Sequence, residues 1–255
     1  MRKIIQKKKP GNKILLFLDY DGTLVTIKKK PELAVLHPRR RKVLKSLSEK
    51  FFVSVVSGRS LREIKNVVGI DTLAYIGNHG LEMCWRDKHW VHPEAEKIRP
   101  ALEGILKRVR IRTRSLKGVL VEDKRLTASI HYRLLAPEAW SKLKKIIDEE
   151  TQIHKRLFII TEGKRVFELR PRLEWDKGRG ILQFIQWLAL EKAPIKVYIG
   201  DDRTDEDAFK ALEKDGLTIL VGRKKDSLAL YRVPGVDKAW KFLKALNSLS
   251  PLNKS

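Results

Sequence analysis

Two aspartates two positions apart, Asp19 and Asp21, close the apolar run Ile14-Leu15-Leu16-Phe17-Leu18, and Gly22 and Thr23 follow them. In extended chain, residues i and i+2 point the same way, so both carboxylates can reach one ligand while Tyr20 faces elsewhere. Carboxylates this close repel each other unless a cation holds them or one takes a proton. A hard cation with oxygen ligands, Mg2+ above all, is the usual solution where phosphate is the substrate. A carboxylate can also attack phosphorus, splitting one hard displacement into two easier ones. Asp19-Tyr20-Asp21-Gly22 would equally serve as a polar strand-to-loop turn, so the decision rests with the rest of the chain.

Complementary groups recur after other apolar runs. Phe51 to Val56 leads into Ser57-Gly58-Arg59-Ser60, where the Ser57 hydroxyl and nearby backbone N–H groups can hold a phosphoryl oxygen. Trp175-Asp176-Lys177-Gly178 opens a helical pattern, with Asp176 placed to cap it. Lys177 is then either a surface lysine or the cation opposing the carboxylates. Ile195 to Gly200 leads into Asp201-Asp202-Arg203-Thr204-Asp205-Glu206-Asp207, five acidic residues in seven. Behind a buried strand and a glycine, in a basic chain, these read as a metal site.

The elements that must position these groups follow from periodicity. Continuous apolar runs flanked by polar residues read as strands buried on both faces of a parallel sheet, and α/β chemistry sits beyond the carboxyl ends of such strands. Helical spacing joins them at Arg39 to Lys50, Leu61 to Val68, Asp176 to Leu190 and Val236 to Leu246. From about Met83 to Leu169 the pattern changes. Alternating strands at Met83–Trp85, Lys88–Val91, Val119–Glu122, Leu126–Tyr132, Leu157–Thr161 and Val166–Leu169 come with two helical stretches, Pro93 to Arg112 and Pro137 to Gln152. We expect a doubly wound parallel α/β core of residues 1–82 and 171–255, interrupted by an α+β module at 83–170.

With 55 basic and 31 acidic residues the formal charge is +24, which raises a nucleic-acid role. The densest clusters, Lys7 to Lys9, Lys28 to Lys30, Arg39 to Lys42 and Lys107 to Lys117, are scattered, and no zinc-finger spacing or aromatic RNA-binding signature accompanies them. A solvated surface is the favoured reading, and a positive field would also draw in phosphorylated substrates. The single cysteine, Cys84, excludes an internal disulfide framework and a thiolate metal cluster. No apolar run approaches the roughly 20 residues of a membrane span, and the basic start of the chain lacks a signal-peptide pattern. The expectation is a cytoplasmic monomer acting on a small molecule.

The ordered set Asp19-x-Asp21-Gly22-Thr23, Ser57, Lys177 and Gly200-Asp201-Asp202 resembles the four-motif layout of the haloacid dehalogenase superfamily. Asn78-His79-Gly80-Leu81-Glu82, Val121-Glu122-Asp123-Lys124, His131-Tyr132-Arg133, Phe167-Glu168-Leu169-Arg170-Pro171 and Tyr198 to Phe209 extend the resemblance to the trehalose-6-phosphate phosphatases. The resemblance implies a haloacid-dehalogenase-like core whose inserted cap sets specificity, and hydrolysis of trehalose 6-phosphate through an aspartyl-phosphate. It implies Asp19 as nucleophile, Asp21 as general acid and then base, and Thr23 and Ser57 on the phosphoryl oxygens with Lys177 neutralising charge. Mg2+ would be held by Asp19, the carbonyl of Asp21 and Asp201, with Asp202 or Asp205 in support. Glu122, Lys124 and Glu168 would grip the distal glucose, and Gly58, Arg59, Asn78, His79 and Glu82 would line the substrate site or fix the hinge. The rival substrates are sucrose phosphate or a glycosyl phosphoglycerate.

Overall fold

The computed structural model describes residues 13–28, 31–163, 165–191 and 193–248; Lys7 to Lys9, Lys29 and Lys30 from the basic clusters lie outside the described residues. In chain order the elements are β1 (Ile14–Asp19), α1 (Pro38–Lys50), β2 (Phe52–Val56), α2 (Leu61–Val68), β3 (Ala74–Gly77), β4 (Glu82–Trp85) and β5 (Lys88–Val91). They continue with α3 (Pro93–Lys97), α4 (Arg99–Arg112), β6 (Leu120–Asp123), β7 (Ala128–His131), α5 (Trp140–Gln152), β8 (Phe158–Gly163) and β9 (Val166–Pro171). The last are α6 (Lys177–Trp187), β10 (Ile195–Gly200), α7 (Asp205–Ala211), β11 (Gly216–Val221), β12 (Tyr231–Val233) and α8 (Val236–Asn247). Two units result, residues 1–90 with 175–255 and residues 91–174.

The first unit is an α/β fold on an eight-stranded sheet in the order β12-β11-β10-β1-β2-β3-β4-β5. The strands from β12 to β3 are parallel, and β4 adds antiparallel to β3. All of β1 is buried, and its alternation divides the side chains between two cores. Ile14, Leu16 and Leu18 pack with Leu44 and Leu47 of α1 and Trp240 and Leu243 of α8. Leu15 and Phe17 pack on the other face with Ile181 and Phe184 of α6 and Phe209 of α7. Each such side chain contributes about 1.5–3 kcal/mol by leaving water. Helices on both faces leave the carboxyl ends of β10, β1 and β2 as the place where loops converge.

The second unit has a four-stranded sheet, β6-β7-β9-β8, antiparallel throughout. Ile130, Phe167 and Leu169 pack against Leu102, Ile105 and Val109 of α4 and Leu143, Ile146 and Ile147 of α5. The opposite face carries a polar row, because Glu122 pairs with Ser129, Ser129 with Glu168, and Glu168 with Thr161.

Two expectations are corrected here. The boundaries expected at 82/83 and 170/171 fall at 90/91 and 174/175. The hairpin strands β4 and β5 extend the large sheet, with Tyr75 opposite Cys84 and Ile76 opposite Met83. Trp90 and Trp175, the first unit's residues on either side of 91–174, stack with ring centroids 5.7 Å apart. The helix expected from Pro93 to Arg112 is two, α3 and α4, meeting at Ile98. Pro100 has no N–H to carry the hydrogen bonding of α3 onward and is tolerated in the first turn of a helix, so a new helix starts just before it. Among the described residues no helix is long and apolar enough to cross a membrane.

Candidate active site

Asp19 is the last residue of β1, Ser57 follows β2, and Asp201 follows β10, so three adjacent strands deliver them to one edge of the sheet. Beyond Asp19 the chain turns at once: Gly22 N–H donates to the Val25 carbonyl at 2.8 Å and Leu24 N–H to that of Tyr20 at 2.9 Å. Gly22 has φ +93°, and a Cβ there would lie 2.1 Å from Asp201 Oδ2, so this turn rests directly on the Asp201 carboxylate. Thr23 Oγ1 donates to Asp201 Oδ1 at 3.1 Å from the same turn. Tyr20 points the other way into the core, its hydroxyl donating to the Ala34 carbonyl at 2.7 Å.

Lys177, the first residue of α6, is buried at the centre of the charges. Asp176 caps the helix by accepting from Arg179 N–H at 2.8 Å. Lys177 Nζ donates to Asp19 Oδ1 at 3.0 Å and to Asp205 Oδ1 at 2.6 Å. Asp205 also accepts from Tyr198 Oη at 2.6 Å and, on Oδ2, from the N–H groups of Asp201 at 2.7 Å and Asp202 at 2.9 Å. Four donors fill the lone-pair directions of one carboxylate. Burial works to raise the Asp205 pKa, but Lys177 and these hydrogen bonds outweigh it and hold the group below its ordinary value. Burial likewise works against the Lys177 ammonium, and Asp19 and Asp205 overcome it, lifting its pKa.

Asp19 has the opposite balance. Burial pushes its pKa well above the carboxylate range; Lys177 opposes this, and Asp205, Asp201 and Asp202 add to it. Burial, then Asp205 and Asp202, push Asp201 up to about 7. Asp19, Asp201 and Asp205 each present an oxygen within 4.8 Å of the others. With all three carboxylates ionised against the Lys177 ammonium, two negative charges are left over, a balance that a divalent cation would fit. Asp19 Oδ2 is buried with no hydrogen-bond partner, an oxygen aimed at something other than protein. The donor set is all oxygen and fits a hard cation.

A family model for the trehalose-phosphatases matches residues 17–237. The chain belongs to the trehalose-phosphatase family. It is 34% identical over 250 residues to a probable trehalose-phosphate phosphatase 4 of Oryza sativa subsp. japonica, covering 94% of this chain and 67% of that protein. With trehalose-phosphate phosphatase B of Arabidopsis thaliana it shares 31% over 250 residues, covering 92% and 67%. Among solved structures, a trehalose-6-phosphate phosphatase related protein superposes with TM-score 0.80 at 28% identity, covering 91% of this chain and 96% of that one. A haloacid dehalogenase-like hydrolase from Bacteroides thetaiotaomicron, 14% identical, shares the fold with TM-score 0.64 over 92% of this chain and 99% of its own.

Within this trehalose-phosphatase family member the remaining expected residues fall into distinct places. Asp202 is not part of the acidic trio: its Oδ1 accepts from Thr204 N–H at 2.7 Å, Thr204 Oγ1 at 2.8 Å and Asp205 N–H at 3.2 Å. It holds the turn into α7, a use its short side chain suits. The Asp21 carboxylate is likewise outside the trio and accepts from Arg59 on both oxygens. Asn78 and Glu82 are buried, and Glu82 Oε1 accepts from Asn78 Nδ2 at 2.6 Å and from Leu61 N–H at 2.7 Å. These bonds place Glu82 Oε1 against Asn78 and the start of α2. His79, at φ +56°, lies over Gly58, where a Cβ would come 2.5 Å from Nε2. The N–H groups of His79 and Asn78 donate to the carbonyls of Ser57 at 3.1 Å and Arg59 at 2.7 Å, tying the two loops together.

Glu122, Lys124 and Glu168 lie on the second unit. Glu168 accepts from Ser129 Oγ at 2.8 Å and lies 3.6 Å from Lys124 Nζ, and Glu122 meets His131 Nε2 at 2.9 Å. Tyr198 was missed from sequence. It is two residues before Gly200 on a strand, the same i, i+2 rule that selected Asp19 and Asp21, but an apolar run disguises its hydroxyl.

Proposed function

We propose that this protein hydrolyses trehalose 6-phosphate to trehalose and inorganic phosphate with Mg2+ as cofactor. The observation that carries the reading is the Asp19 carboxylate, held by Lys177 on one oxygen and without a protein partner on the other, inside the acidic trio. An Asp19 oxygen attacks phosphorus, the bond from phosphorus to the sugar oxygen breaks, and Asp21 gives that oxygen its proton. Water then attacks the aspartyl-phosphate, Asp21 takes the proton back, and Asp19 is released. Ser57 and Thr23 hold the phosphoryl oxygens, and Lys177 offsets the charge that builds there. Mg2+, on Asp19, Asp201 and the Asp21 carbonyl, would screen nucleophile from phosphate when bound. Asp205, with all its acceptor capacity used, braces Lys177 and the Asp201 loop.

The inserted unit is read as the cap, with Glu122, Lys124 and Glu168 gripping the distal glucose. A neutral, densely hydroxylated sugar is recognised by paired donors and acceptors, and the polar sheet face supplies both. The protein is read as a monomer working in the cytoplasm. Phosphate release from trehalose 6-phosphate, sucrose phosphate and a glycosyl phosphoglycerate, with Mg2+ and after chelation, is the test. Release from trehalose 6-phosphate fastest and only with the cation is expected. Faster release from another sugar moves the substrate, and no release from any refutes the reading.

A further inference from the structure

Arg59 has no place in the reaction just written, yet it is among the most tightly held side chains near the site, at 6% exposure. Its Nε donates to Asp21 Oδ2 at 2.7 Å and its Nη2 to Asp21 Oδ1 at 2.8 Å, the planar fork-on-fork arrangement that only a guanidinium makes. Nη1 reaches Glu63 in the first turn of α2, and the guanidinium carbon sits 5.3 Å from the centroid of the Tyr20 ring. The Arg59 main chain is fixed as well, its N–H donating to Ser57 Oγ at 3.2 Å and its carbonyl accepting from Asn78 N–H at 2.7 Å. Asp21 has no such frame of its own. It lies on the turn after β1 with 38% of its side chain exposed.

A carboxyl that passes a proton to and from a sugar oxygen must be held within hydrogen-bond reach of it, and rotation about χ1 carries it away. We infer that Arg59 is the positioning residue for Asp21, fixing the rotamer of its carboxyl through the two-point fork while Glu63 and Tyr20 anchor the guanidinium. This rests on the reading of Asp21 as acid and base. Arg59 is taken to act through Asp21, so its loss is expected to fall on the steps that move a proton. A nitrophenolate leaves without needing one, and a sugar alkoxide does not.

The test compares the phosphorylation step of the Mg2+-loaded enzyme on trehalose 6-phosphate and on p-nitrophenyl phosphate by rapid quench and stopped flow. Arg59→Lys and Arg59→Ala are expected to slow trehalose release about 100-fold, the scale of a misplaced general acid, with KM changed less than about threefold. The burst of p-nitrophenolate is expected to stay within about threefold of the parent. Glu63→Gln, which loosens the anchor and keeps the fork, gives the same pattern at about a tenth of the size. Guanidinium ion added to Arg59→Ala restores part of the lost trehalose release. Equal loss on both substrates, or none on either, overturns the inference; should Arg59→Ala fail to fold, Arg59→Lys and Glu63→Gln decide it. If the parent turns over p-nitrophenyl phosphate and a different sugar phosphate but not trehalose 6-phosphate, the substrate assignment alone falls, and the same comparison is read on that sugar.

Discussion

Lys177 and Lys124 both meet carboxylates, but in different media. The Lys177 side chain is 2% exposed, with Asp19 at 3.0 Å and Asp205 at 2.6 Å, whereas Lys124 is 12% exposed and lies 3.6 Å from a Glu168 that is 20% exposed. Around Lys177 the low local dielectric makes each charge strong and its position costly to change, which suits a site where charge develops during reaction. Across the β6-β7-β9 face the groups are less deeply buried and farther apart, so each charge acts more weakly. On the function proposed above, one region would stabilise charge and the other would exchange hydrogen bonds with the sugar.

Mutations that break this contrast should differ in kind as well as size. Asp19→Asn removes the nucleophile and should reduce phosphate release by at least about 10,000-fold while the fold survives, measured by turnover and circular dichroism. Lys177→Met leaves the volume but not the charge. It should cost about 100–1,000-fold in kcat, and a rise in KM with unchanged kcat would place Lys177 outside the chemistry. Glu168→Gln and Glu122→Gln, in the less buried region, should lower kcat/KM for trehalose 6-phosphate by about 10–100-fold while leaving p-nitrophenyl phosphate nearly untouched. Equal loss on both substrates would erase the distinction between the regions.

Smaller effects sharpen it. Tyr198→Phe takes one donor from the buried Asp205 and should lower stability by about 1–2 kcal/mol, read as a fall in urea midpoint. The pH response has a definite sign. Asp201 has its pKa raised to about 7, so its contribution to folding is full below the ordinary value near 3.8 and is lost as pH rises through about 7. Asp19, also raised, acts in the same direction. The metal-free protein should therefore lose melting temperature from this source between pH 4 and pH 8. Mg2+ should reverse the loss by favouring the ionised carboxylates, and Asp201→Asn should flatten the slope.

The difference between what was legible and what was not follows the range of the interactions. β1 and Asp19 at its end could be read because an apolar run buried on both faces has a local signature, whereas the i, i+2 spacing did not carry Asp21 to the same place, since the chain has already turned there and Arg59 holds its carboxylate. Asp176 as a helix cap was legible from its local signature too. The allegiance of β4 and β5 was not, since a hairpin looks the same in sequence whichever sheet its edge joins. β12, three residues long, offered no periodicity to read. Asp202 and Asp205 are equivalent in sequence, and only the turn between them sends one into a cap and the other onto Lys177.

The order of residue types along the chain by itself determined a parallel α/β core, the acidic groups at its strand ends and the interruption by an α+β module. Those features rest on contacts between neighbours in sequence and on which residues avoid water. Tertiary structure alone decided that Arg59 grips Asp21, that Glu82 serves helix α2, and that Tyr198 and Lys177 share Asp205. The partners of those pairs lie up to 38 residues apart, and no local pattern records a distance that only the closed sheet sets.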